Sequence, residues 1–230
     1  AKIIKNGARM AMRSDIIVLD MGATIGADAQ QLVDYAILGS ALARSLFDSS
    51  NPTVGLLNVG TEEVKGLDYI KEAGKILSEA SGAGFTYHGF VEGDDIGKGT
   101  VDVVVTEGFV GNIALKTAEG TARQVASYLR SALMANLMSK IGALFASSAL
   151  KALRRKMDPR TVNGGVFMGL NGIVIKSHGG TDEIGYKSAL GLSYEMARSR
   201  LMDKIGDTMQ RFPIHKAAPE TPPETEAKSA

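Results

Sequence analysis

The chain has 230 residues, is 44% hydrophobic and carries a net charge of +1. That suffices for one large α/β domain or two small ones, and the balanced charge points away from a nucleic-acid partner. Without cysteine there are no disulfides, no thiolate metal sites and no thiol nucleophile, which fits a reducing compartment. The three histidines, His88, His178 and His215, are spaced too widely for a zinc site, and no metal or cofactor is expected.

In chain order, Ala1–Lys5 shows no signal-peptide pattern, and no uncharged apolar run is long enough to span a membrane, so a soluble cytoplasmic protein is expected. Ile16–Asp20 reads as a short strand ending in the turn Met21-Gly22-Ala23. Asp28 to Leu46 has helical spacing, with Asp28 as N-cap. Thr53–Val59 is a second strand, followed by the polar loop Gly60–Glu63 and a helix from about Leu67 to Ala80. Phe85–Val91 and Val101–Thr106 are the third and fourth strands, joined by a loop without a helix. A helix is expected over Ile113–Leu129. The alternation predicts a mainly parallel sheet covered by helices.

Residues 121–157 form a basic amphipathic helical segment that contains no Asp or Glu. Arg130, Lys140, Lys151, Arg154, Arg155 and Lys156 flank Leu- and Met-rich turns. Such a segment either lies on an anionic membrane surface or packs in a dimer interface, and the two are compatible. Gly142 and Ser147-Ser148 are candidate breaks that would make it a protruding helical pair. Beyond the glycine-rich stretch 164–172, Ile173–Ile175 is a strand and Asp182–Met209 one terminal helix. The expected organisation is one domain over residues 1–212, with 213–230 a disordered tail.

Ligands of such sheets bind beyond the carboxyl ends of the strands. Three strand-to-helix loops combine glycine with polar groups there: residues 20–23, 58–65 and 107–112. In the third, Gly108 and Gly111 allow close backbone approach. A helix starting near Asn112 would aim its free N–H groups at an anion. Asn112 is then an oxyanion donor or simply an N-cap. In the second loop Lys65 would place positive charge beside Asn58, Gly60 and Glu62, although spacing alone equally suits a surface pair with a glutamate. Lys116 is expected to pair loosely with Glu119. His178, flanked by Gly179-Gly180, would be an acid, a base, a donor or a structural residue. Neither a Walker loop nor the dinucleotide pattern G-x-G-x-x-G is present.

The stretches "VGLLNVGTEEVKG", "VEGDDIGKGTVDVVVTEGFVGNIALKTAEG" and "GGVFMGLNGIVIKSHGG" occur in this order. Together they closely resemble the bacterial phosphate acyltransferase family of phospholipid synthesis, over about Ile16 to Ile205. The resemblance implies a three-layer α/β/α sandwich similar to phosphotransacetylases and isopropylmalate-type dehydrogenases. It also implies transfer of a fatty acyl group from acyl carrier protein to inorganic phosphate, a homodimer and peripheral membrane association. By the same resemblance Lys65 and Asn112 are the catalytic positions. Asn58, Gly60, Glu62, Glu107, Gly108, Gly111, His178 and Gly179 are the candidate substrate- and phosphate-binding set.

Thr24, Leu67 and Phe90 stand where the family often has Asn, and Glu107 where it has Asp. The family's opening strand and "DAMGGD" turn have no counterpart, so the chain begins in what would be the family's interior. A coenzyme A-dependent phosphotransacetylase and an inert membrane-surface scaffold are the alternative readings. A nicotinamide dehydrogenase lacks its fingerprint here.

Overall fold

The computed structural model describes residues 2–5, 15–47, 49–80, 84–156, 158, 160 and 163–211. The expected tail, residues 213–230, lies outside them. Five strands form the main sheet: β1 (Lys2–Lys5), β2 (Asp15–Leu19), β3 (Thr53–Leu57), β4 (Thr86–Val91) and β5 (Val103–Val105). Their spatial order is β1-β2-β5-β3-β4. β2, β5, β3 and β4 run parallel and β1 alone is antiparallel. All four parallel strands therefore end on one edge, where the three polar loops emerge.

Alternation along β2 sends Ile17 and Leu19 to one face and Ile16 and Val18 to the other. The first face carries the larger core, covered by α1 (Ala29–Leu46), α2 (Asp68–Ser78) and α8 (Leu201–Arg211). On the second, Val91, Val101 and Val104 join Ile16 and Val18, and Ile96 packs against them. Asp28 caps α1 as expected. Its carboxylate accepts from Gln31 N at 2.7 Å while the Gln31 side chain accepts from Asp28 N at 2.9 Å. At the opposite edge Asp102, 1% exposed, clamps β5 to β3 by accepting from Thr53 N and Oγ1 at 2.6 and 2.8 Å.

Four expectations change. The passage from β4 to β5 does hold a helix, α3 (Gly93–Lys98), which carries Ile96. The helix expected from residue 113 begins at Gly108 and continues unbroken to Met134 as α4. The helical pair is an arm of three helices, the outer part of α4, then α5 (Leu137–Phe145) and α6 (Ser147–Lys156). Its turns fall at Ala135-Asn136, where Asn136 Oδ1 accepts from Ser139 N at 2.8 Å, and at Ala146; Gly142 lies inside α5. The terminal helix is two, α7 (Glu183–Arg198) and α8, parted at Ser199-Arg200 where Arg200 takes φ 55°. The glycine-rich stretch folds into an antiparallel hairpin of β6 (Gly165–Phe167) and β7 (Val174–Lys176).

Candidate functional site

The loop after β3 is a closed unit. Asn58, 7% exposed, donates from Nδ2 to Lys65 O at 3.0 Å, tying the end of the loop to its start. Gly66 sits at φ 94° against the Asn58 amide, where a Cβ would collide with Oδ1, so only glycine closes this turn. The Lys65 side chain lies over Gly60. Its ammonium meets Glu62 at 2.7 Å, with both side chains about half exposed. The Glu62 hydrogen bond, more than its charge, raises the Lys65 ammonium above its ordinary range, and the same bond lowers the Glu62 carboxyl. Lys65 is thus fully charged near neutral pH, and its partner is a solvated carboxylate that an incoming anion would displace at little cost.

The loop after β5 departs from expectation. Glu107 is the N-cap of α4, not Asn112. Its buried carboxylate accepts from Phe109 N and Val110 N, both at 2.7 Å, and from Gly26 N at 3.0 Å. The chain's own carboxylate therefore fills the amide end that the sequence suggests for an external anion. Gly108 and Gly111 are buried because the turn after β2 presses on them: a Cβ at Gly108 would strike Thr24 O, and one at Gly111 would strike Asp20 O. Asn112, one turn further, is exposed and lies against Gly22. Lys116 pairs with Glu119 at 3.2 Å.

Asp20 organises the turn after β2. Its Oδ1 accepts from Ala23 N at 2.9 Å, and its Oδ2 accepts from Thr24 N and Thr24 Oγ1, both at 2.8 Å. Burial pushes its carboxyl up, but these bonds outweigh burial and hold it below the ordinary carboxylate range. Thr24, one of the departures from the family pattern, thus serves the turn. Phe90, another, is buried and packs beside Gly74 of α2; Leu67 is an exposed N-cap residue without a side-chain bond.

His178 and Gly179 follow β7, across a cleft from the Asp20 turn. Asp20, Met21, Gly22, Ala23, Leu115, Val166, Phe167, Lys176 and His178 are among its walls. The candidate residues fall into three groups: Asn58, Gly60, Glu62 and Lys65; Glu107, Gly108, Gly111 and Asn112 with the Asp20 turn; and His178 with Gly179. Among the described residues no hydrogen bond or ion pair joins Lys65 to Asn112. Around the groups, the Glu92 charge adds to the raised Lys65 value, and Tyr69 of α2 is raised by burial and then by the Glu107 charge. Asp20 and Asn163 are among the polar residues of the cleft that the candidate set omits. A carboxylate at a strand end before Gly22-Ala23 was the available signal for the first; nothing marks the second. No three of the described His, Asp and Glu residues gather as a metal site.

Residues 8–204 match the family described as fatty acid synthesis protein. The chain is similar to a phosphate acyltransferase of Mesorhizobium japonicum, 63% identical over 201 residues, which cover 87% of this chain and 56% of the relative. It is likewise similar to phosphate acyltransferases of Chelativorans sp., 63% over 211 residues (92% and 60%), and Brucella ovis, 64% over 201 residues (87% and 58%). The chain therefore spans less than two thirds of the length of these relatives.

Proposed function

This chain belongs to the fatty acid synthesis protein family, and on that premise we propose that it carries the site of an acyl-[acyl carrier protein]:phosphate acyltransferase. The observation that carries the reading is the pairing of β3 with β5 in parallel, with Leu56 opposite Val105. Adjacent strands lie about 4.8 Å apart, so the Lys65 loop and the helix bearing Asn112 leave the same edge as neighbours. Names of the curated relatives support the transfer to phosphate.

In this mechanism a phosphate oxygen attacks the thioester carbonyl carbon. The C–S bond breaks, the carrier's thiolate leaves and takes up a proton, and an acyl phosphate remains. Lys65 holds phosphate by charge once Glu62 is displaced, and the Asn112 amide donates to the oxyanion of the tetrahedral intermediate. Neither forms a covalent bond to the acyl group. Asn58, Gly60 and Gly66 shape the lysine loop, while Glu107, Gly108 and Gly111 set the direction of α4. His178, on the cleft wall facing the Asp20 turn and followed by Gly179, would meet an anion that enters the cleft.

The arm supports a further element of the proposal, attachment to an anionic membrane. Val125, Tyr128, Met134, Leu137, Met138, Leu144 and Phe145 are exposed on it, as are Arg130, Lys140, Lys151, Arg154 and Arg155. No helix of the described residues is long and apolar enough to cross a membrane. The site would thus work at the cytoplasmic membrane surface, with a homodimer as the assembly.

The test is acyl phosphate formation from long-chain acyl carrier protein and inorganic phosphate, by this chain and by a form extended at its N-terminus. In the active form Lys65→Ala and Asn112→Ala should each lower kcat by about 10²- to 10³-fold. Near-normal turnover in both variants would remove the assigned roles. Turnover with acyl-coenzyme A but not with the carrier-protein thioester would favour the phosphotransacetylase reading.

A further inference from the structure

Asn163 stands half-buried just before β6, and its one amide joins three segments. Oδ1 accepts from His178 N at 3.1 Å. Nδ2 is shared among Ser177 Oγ at 2.8 Å, Thr181 Oγ1 at 3.0 Å and Gly185 O at 3.0 Å. The approach to β6, the turn from Ser177 to Thr181 and the first turn of α7 are thereby locked together. Gly185 is packed so closely that a Cβ there would strike Thr181 Oγ1. The turn in its own right orients the imidazole, since Gly180 N donates to His178 Nδ1 at 3.2 Å. A ring nitrogen that accepts carries no proton, so the neutral ring bears its hydrogen on Nε2. His178 borders the cleft beside Lys176 and opposite the Asp20 turn.

We propose that Asn163 is a positioning residue that holds the Ser177–Thr181 turn so that His178 offers Nε2–H to an anionic oxygen in the cleft. The identity of that anion as phosphate rests on the function proposed above; the link from Asn163 to the ring does not. Aspartate at this position keeps the acceptor for His178 N and loses both donors, so it separates the acceptor from the donors without changing shape.

The experiment is long-range ¹H–¹⁵N correlation of the histidine rings in the full chain at a pH of about 9, well above the ordinary imidazole value of about 6.5. Wild-type His178 should show the Nε2–H tautomer almost alone. Asn163→Asp and Asn163→Ala should drift toward the mixture of free imidazole, and inorganic phosphate should move the ring signals several-fold less at equal concentration. A mixed or Nδ1–H tautomer in the wild type overturns the proposal with no variant needed. An unchanged tautomer in folded Asn163→Asp overturns it as well. In the acyl phosphate assay the same variant should lose kcat about tenfold with KM for the acyl donor little changed, and Asn163→Gln should not restore it. Absence of acyl phosphate from every form would defeat the proposed reaction and leave the tautomer result to decide the role of Asn163.

Discussion

Glu107 and Gly26 meet across the mouth of the site: the carboxylate that caps α4 accepts from the Gly26 backbone N at 3.0 Å. One buried side chain thus fixes the start of α4 and the loop after β2 together, and with them the Asn112 side chain against Gly22.

Removing that carboxylate should be costly. Glu107→Ala strands three backbone donors, and unfolding in urea should show a loss of about 2–3 kcal/mol, above the usual cost of a lost cap because the group is buried. A loss under about 0.5 kcal/mol would mean that the Gly26 contact does not persist in solution.

Two glycines of α4 should respond to alanine with opposite signs. At Gly111 the new Cβ would run into Asp20 O, a backbone atom that cannot step aside, and the loss should be about 2 kcal/mol or more. At Gly120 nothing lies within 4 Å, and alanine should gain about 0.5–1 kcal/mol by helix propensity. Thermal unfolding of the two variants side by side is the check; a Tm that moves the same way in both would contradict the packing described here.

Asp20 predicts a pH dependence. Its folded-state value lies below the ordinary 3.8, so its stabilising contribution is complete above that value and is lost as pH falls through the folded one. Asp20→Asn should therefore be less stable than wild type at neutral pH, with a gap that narrows as the medium is acidified below about 4. Equal gaps at pH 7 and pH 3 would show that the carboxylate's charge is immaterial to the turn.

Where the arm returns to the body, Arg160 bridges Asp158 at 2.6 Å and the α7 cap Asp182 at 2.8 Å. The Arg160 hydrogen bonds hold the Asp158 carboxyl down to about 2. Carbon-detected titration should find it there, and Arg160→Leu should return it toward the ordinary carboxylate range.

Vesicle binding offers a test of the arm. Affinity for anionic vesicles should fall as salt rises, and Arg154→Glu with Arg155→Glu should weaken it severalfold. Salt-independent binding would count against an electrostatic contribution.

Much of the fold was legible because its signals are local. The apolar run Ile16-Ile17-Val18-Leu19 and the Asp28/Gln31 box each need only a few neighbouring residues. What escaped is set by partners distant in sequence. Gly108 looks like a turn residue until Glu107 is seen to cap across to Gly26, 81 positions away. The α3 segment, GDDIGK, is too short for periodicity and packs one partly buried isoleucine against the sheet. The break at Arg200 has no glycine, asparagine or proline to announce it. In the site, spacing could offer Lys65 and Asn112 as polar groups in glycine-rich loops, but the roles came from family resemblance. Asn163 gave no signal, because its partners surface only when the β6–β7 hairpin folds against α7.

Finally, α4 is a single rod of 27 residues, about 40 Å long at 1.5 Å per residue. Its base carries Asn112 and is wedged under Asp20; its far end leads into the apolar, basic arm. A tilt of 10° about that base sweeps the tip through about 7 Å, whereas the asparagine, near the fulcrum, travels only about 1 Å. Whatever grips the outer end consequently holds the long side of a lever, and a coarse displacement there arrives at Asn112 as a fine adjustment.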